Sequence, residues 1–149
     1  MSTKKRAIIF GVILALTLGF IWGNSMLTKE MSGAISHFVA DILGGEQGTS
    51  DEGHYLIRKA GHFLEFTFLA VIFQLFIREL TRDGARRALA SALVGVSVPL
   101  IDETIQIFSN RGYALPDVWI DISGYTFGVS LAILALGIVH LLRKKGKNE

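Results

Sequence analysis

The chain contains no cysteine. Disulfides, thiolate metal centres and a lipid-anchored cysteine are therefore excluded, while nothing follows about redox compartment. Proline is nearly absent, with two in 149 residues, and only Pro99 falls inside an apolar run. No repeat, low-complexity tract or second-domain boundary is visible, so one small domain over residues 1–149 is expected. The first apolar run has no polar stripe. That excludes a soluble four-helix bundle, in which every helix needs one. Lys4, Lys5 and Arg6 precede this run, but it is long for a signal peptide and no small-x-small cleavage site follows. It reads as an uncleaved membrane helix.

What is present is apolar sequence, half of all residues. Four stretches are long enough to cross a bilayer, over residues 7–26, 57–80, 88–108 and 118–142. The basic residues set their orientation. Lys4, Lys5, Arg6, Arg78, Arg82, Arg86, Arg87, Arg143, Lys144, Lys145 and Lys147 fall on one side, and these are eleven of the fifteen lysines and arginines. The positive-inside rule makes that side cytoplasmic. The expectation is an all-α membrane protein with four transmembrane helices, N-in and C-in. The weakly basic balance then reflects topology and not nucleic-acid binding.

The first outer connection, residues 27–56, is the longest. Ile35, Phe38, Val39, Ile42 and Leu43 follow helical spacing before Gly44-Gly45. They predict a short amphipathic helix on the outer membrane surface or over the bundle mouth. Residues 46–53 read as a polar loop. The inner connection 81–87 and the outer connection 109–116 are short. Asp117 follows Pro116 and is placed to cap the last helix. Gly124, Gly128 and Ala132 form a small-residue stripe that allows close helix contact.

The informative feature is charge inside apolar sequence. Lys59, His62 and Glu65 interrupt the second run, Asp102 and Glu103 the third, and Asp121 the fourth. Each such residue costs about 2.5–3.5 kcal/mol to insert, so a chain that keeps six should gather them into one site. Their depths agree. With N-in topology all six lie in the outer leaflet, as do Gln106, Asp117, Arg111 in the adjoining loop, and Asn24 and Ser25 at the end of the first run. The spacings are three or four residues, so each set can share a helix face. Lys59 and Arg111 are the cations available to Glu65, Asp102, Glu103 and Asp121. Lys59 reads either as a head-group cation or as a lysine snorkelling to the interface. His62 reads as a base, a metal ligand, or a histidine satisfied by Glu65 or a backbone carbonyl. The acids read as proton-transfer groups, hard-metal ligands or members of an ion-pair network.

The pattern Lys59-x-x-His62-x-x-Glu65-Phe66, then Asp102-Glu103-x-x-Gln106, then Arg111, Asp117 and Asp121 with Gly124 and Gly128, resembles the VanZ-like family. The Asn24-Ser25 step is similar to one found there. Two positions differ from the usual family pattern: Ser109-Asn110 replaces a Pro-Gly, and Asp121 stands where Asn is common. The resemblance implies a small multi-pass protein of the bacterial cytoplasmic membrane. Some members are linked to teicoplanin-type glycopeptide resistance. It supplies no mechanism.

Three functions fit these residues. In the first, Lys59 and Arg111 hold an anionic lipid or lipid-linked cell-wall precursor while His62, Glu65, Asp102 and Glu103 perform catalysis or hold a divalent cation, as in a hydrolase of phosphorylated lipids; no known hydrolase motif is present. In the second, the same cations bind without turnover, with Gln106, Asp117, Asp121, Asn24 and Ser25 completing a ligand site. The third is an ion-coupled transporter, which the apolar inner halves of the helices disfavour. The sequence leaves the cofactor, the ligand and the oligomeric state open.

Overall fold

Helix α1, Thr3–Ser25, forms because nothing in its 23 residues breaks it. Ser2 caps its start by accepting from the Lys5 amide. At about 1.5 Å per residue it is about 35 Å long, enough for the roughly 30 Å hydrocarbon layer. In the computed structural model, which describes residues 1–43, 51–109 and 115–146, four further helices follow. They are α2 (Lys29–Leu43), α3 (Asp51–Leu80), α4 (Gly84–Phe108) and α5 (Leu115–Lys145). All but α2 are long and apolar enough to cross a membrane. The described residues contain no strand.

The helices overrun the apolar stretches that announced them. Helix α3 already runs at Asp51, so the polar segment expected to be loop over 46–53 is helical in its last three residues; residues 44–50 lie outside those described. The connection expected over 81–87 shrinks to residues 81–83, because Asp83 caps α4 by accepting from the Ala85 and Arg86 amides. Hydropathy marks where lipid begins, whereas helices stop at caps and turns.

The bundle is apolar outside and mixed inside, with buried polar residues as well as an apolar core. Ile8, Leu16, Phe20, Leu93, Trp119 and Leu134 are all exposed, as suits lipid contact. Helices α3 and α5 run parallel and make the most extensive contact in the chain. Glycine makes this possible. A Cβ added at Gly124 would strike the Phe63 backbone, and one at Gly128 would meet the Thr67 carbonyl and the Ala70 Cβ. The Thr67 hydroxyl sits between the two backbones, 2.7 Å from the Phe63 carbonyl and 3.0 Å from that of Gly124. Ile21, Phe66, Leu69, Ala70, Val98 and Tyr125 form the apolar core below this level.

Helix α1 packs antiparallel to α3. At one end Arg6 makes a two-pronged pair with Glu79, both contacts 3.0 Å. At the other, Asn24 reaches Glu65. The Ser109 hydroxyl, just past α4, donates to the Ser25 carbonyl at 2.8 Å and joins the ends of α1 and α4. Helix α2 presents Met31, Ile35, Phe38 and Ile42 outward as an exposed apolar stripe, so its apolar face turns away from the bundle.

Candidate functional site

The polar residues expected at a common depth meet at one end of the bundle. Helix α1 brings Asn24 and Ser25 in its last turn, α3 brings Lys59, His62 and Glu65, α4 brings Asp102, Glu103 and Gln106, and α5 brings Asp117 and Asp121. Asp102 and Asp121 are completely buried and Glu103 nearly so. Arg111 lies outside the described residues.

The pairings differ in part from those expected. Lys59 bonds to Asp117 and sits 4.9 Å from the centre of the Tyr55 ring. It was expected to pair with the deeper acids. Asp117 was expected to be a helix cap. Because α5 already runs from Leu115, Asp117 is its third residue, on a turn that faces Lys59. The two residues tie α3 to α5 at the margin of the cluster. His62 turns to Asp121 and not to Glu65: its Nδ1 stands 3.4 Å from the Asp121 Oδ1. The parallel register of α3 and α5 explains both pairings, since His62 follows Lys59 by three residues and Asp121 follows Asp117 by four.

Neutral donors orient two of the acids. The Ser25 hydroxyl donates to Asp102 Oδ1 at 2.5 Å and the Gln106 amide to Asp102 Oδ2 at 2.8 Å. Asn24 donates to Glu65 Oε1 at 3.0 Å. Other atoms are left over. His62 Nδ1, Glu65 Oε2 and both Asp121 oxygens are buried without a hydrogen bond among the described residues. Buried polar groups are rarely left so, and such exceptions call for a partner. One donor atom each from His62, Asp102 and Asp121 lie within 4.8 Å of one another, close to the spacing of a small ion's ligands.

A second polar group lies in the opposite half of the bundle, toward the α3–α4 connection, and was not foreseen. Gln74 donates to the Ser91 hydroxyl at 2.7 Å, and Ser91 lies 3.3 Å from the Tyr125 hydroxyl. These residues join α3, α4 and α5 beside a cavity of about 660 Å³ that opens between α4 and α5. Gln74 is nine residues past Glu65, about 14 Å further along the helix. Its place in an apolar run was the available signal.

Four apolar helices around a polar cluster define a multi-pass membrane protein. The family model described as VanZ/LLP1 matches residues 7–136, and the chain belongs to that family. No curated protein and no solved structure matches it.

Proposed function

We propose that this protein holds an anionic lipid, or a lipid-linked precursor of the cell envelope, by its phosphate in the outer leaflet of the bacterial cytoplasmic membrane. One observation carries the reading: polar side chains from α1, α3, α4 and α5 meet at a single end of a bundle whose outer face is apolar. The distribution of basic residues makes that end the outer one. Lys59 is the cation at the margin of the cluster. It has three N–H donors, and Asp117 is its ion-pair partner, so donors remain for a phosphate oxygen. Arg111 is the second cation by its place in the sequence. Holding such a precursor would change the access of teicoplanin-type antibiotics to it.

A hydrolase of phosphorylated lipids is the second reading, favoured by the hydrogen-bond-free atoms of His62, Glu65 and Asp121. Binding alone needs no such groups. Mass spectrometry of lipid co-purified with the full chain tests the first reading. Wild-type protein is expected to carry a phosphate-bearing lipid that falls several-fold in Lys59→Ala and in Arg111→Ala. Equal recovery from all three refutes it. Turnover of that lipid by wild type and not by Glu65→Gln would favour the hydrolase.

A further inference from the structure

We propose that His62, Asp102 and Asp121 are the ligands of one divalent transition-metal ion at the centre of the polar cluster. The inference rests on reading this cluster as the functional site, and adds a cation to it.

The first argument is geometric. The three side chains come from three helices, α3, α4 and α5, and each offers a donor atom within 4.8 Å of the others. Atoms held about 2.0–2.2 Å from one ion lie up to about 4.4 Å apart, so small side-chain shifts close the set around it. The second is the state of those atoms. Asp121 is fully buried, and neither of its oxygens has a hydrogen bond among the described residues. His62 is 6% exposed, with Nδ1 equally without a hydrogen bond. Both point at each other across 3.4 Å. Asp102 is held differently, by Ser25 and Gln106. These bonds fix its orientation and leave each oxygen a further lone pair, as outer partners of metal ligands do.

Charge is the third argument. Lys59 is engaged by Asp117, so among the described side chains only His62 faces Asp102 and Asp121 as a base. Glu65 adds another carboxylate within electrostatic reach of all three. Buried carboxylates without a counter-charge are costly. Two carboxylates and a neutral imidazole balance a doubly charged cation, and the Glu65 carboxylate beside them adds to its attraction. One nitrogen and two oxygen donors select zinc or manganese over magnesium and calcium, which prefer all-oxygen shells. Three protein ligands leave a position for water or a phosphate oxygen.

The test uses the full chain in detergent, stripped with chelator, loaded with Zn²⁺ in excess Mg²⁺ and freed of unbound metal. Elemental analysis should find about one zinc per chain, as three-ligand sites with an open fourth position hold. His62→Ala, Asp102→Asn and Asp121→Asn should each lose it, while Tyr125→Phe keeps it. A wild-type chain without zinc, or ligand variants that retain it, overturns the proposal. Should the Asp variants fail to fold, a chain with His37, His54 and His140 all replaced by Gln decides. Pulsed EPR of Mn²⁺ bound to it should still show imidazole nitrogen coupling, from His62 alone, and absence of that coupling refutes the assignment. Zinc absent while Lys59-dependent lipid persists overturns this inference and spares the head-group reading. Zinc present while the lipid is indifferent to Lys59→Ala does the reverse.

Discussion

Replacing Gly124 by Ala tests whether the backbones of α3 and α5 approach as closely as described, and Gly137→Ala supplies the control. Both glycines lie in α5. A Cβ at Gly137 meets nothing within 4 Å. One at Gly124 would lie 3.0 Å from both the carbonyl carbon and the Cα of Phe63, and closer still to the Phe63 oxygen. Comfortable carbon contacts begin at about 3.5 Å, so the helices must part by roughly 0.5–1 Å. A backbone cannot swing aside as a side chain can. Overpacking of this kind costs about 1–3 kcal/mol. Alanine gains about 0.8–1.0 kcal/mol over glycine in a helix interior, and both variants receive that gain. The difference between them therefore isolates the steric cost. Gly124→Ala should be about 1–3 kcal/mol less stable than Gly137→Ala in reversible unfolding in mixed micelles, read by tryptophan fluorescence. Every 1.4 kcal/mol or so is tenfold in the equilibrium constant. Gly124 is three residues past Asp121, so the same variant should also weaken ligand and metal retention. Equal stabilities within about 0.5 kcal/mol would show that α3 and α5 do not touch through their backbones.

Three more outcomes are expected. Because the chain has no cysteine, single substitutions report topology without background: Thr28→Cys should react with an impermeant maleimide on intact cells, and Asp83→Cys only after lysis; the opposite pattern would invert the orientation. Tyr125→Phe removes the hydroxyl that faces Ser91 and should cost about 0.5–1.5 kcal/mol of stability, with lipid and zinc retention unchanged; a loss of either would tie the inner polar group to the outer site. Arg6→Ala breaks the pair with Glu79, whose Arg side chain is 41% exposed, and should cost no more than about 1 kcal/mol in unfolding; a larger loss would mean that this end of α1 anchors the bundle.

The spans and the depth of the cluster were readable because both depend only on position along a helix. Rise per residue converts sequence number into depth, and Lys59, His62, Glu65, Asp102, Glu103 and Asp121 agree in depth whatever their neighbours. Rotation about each helix axis is not given by depth. This is why Lys59 found Asp117 and His62 found Asp121, pairs fixed by the parallel register of α3 and α5. That register comes from Gly124 and Gly128 seating against α3. The small-residue stripe was visible in the sequence; its partner helix was not. The second polar group, of Gln74, Ser91 and Tyr125, escaped for another reason. Each is uncharged, and single polar residues in an apolar run signal little until they are seen to meet.

The nearest helix terminus bears on what the cluster can hold. Helix α1 ends at Ser25, whose hydroxyl touches Asp102 and whose neighbour Asn24 touches Glu65. A helix C-terminus carries partial negative charge, and its field fades within a turn. Helix α3 begins at Asp51, eleven residues before His62 and about 16 Å away along the axis, too far for its positive end to compensate. Helix α4 runs on to Phe108, more than a turn past Asp102, and contributes little of either sign. The acids thus sit beside a helix end that repels them. Asp121 lies six residues past the positive start of α5 at Leu115 and so beyond its first turn, and the Asn24, Ser25 and Gln106 donors soften the contact. Such a setting is poor for free carboxylates and good for a bound cation, which the α1 carbonyl end and the acids attract together. It gives α1 a reason to end at this level, with two short donors and no basic residue in its last turn.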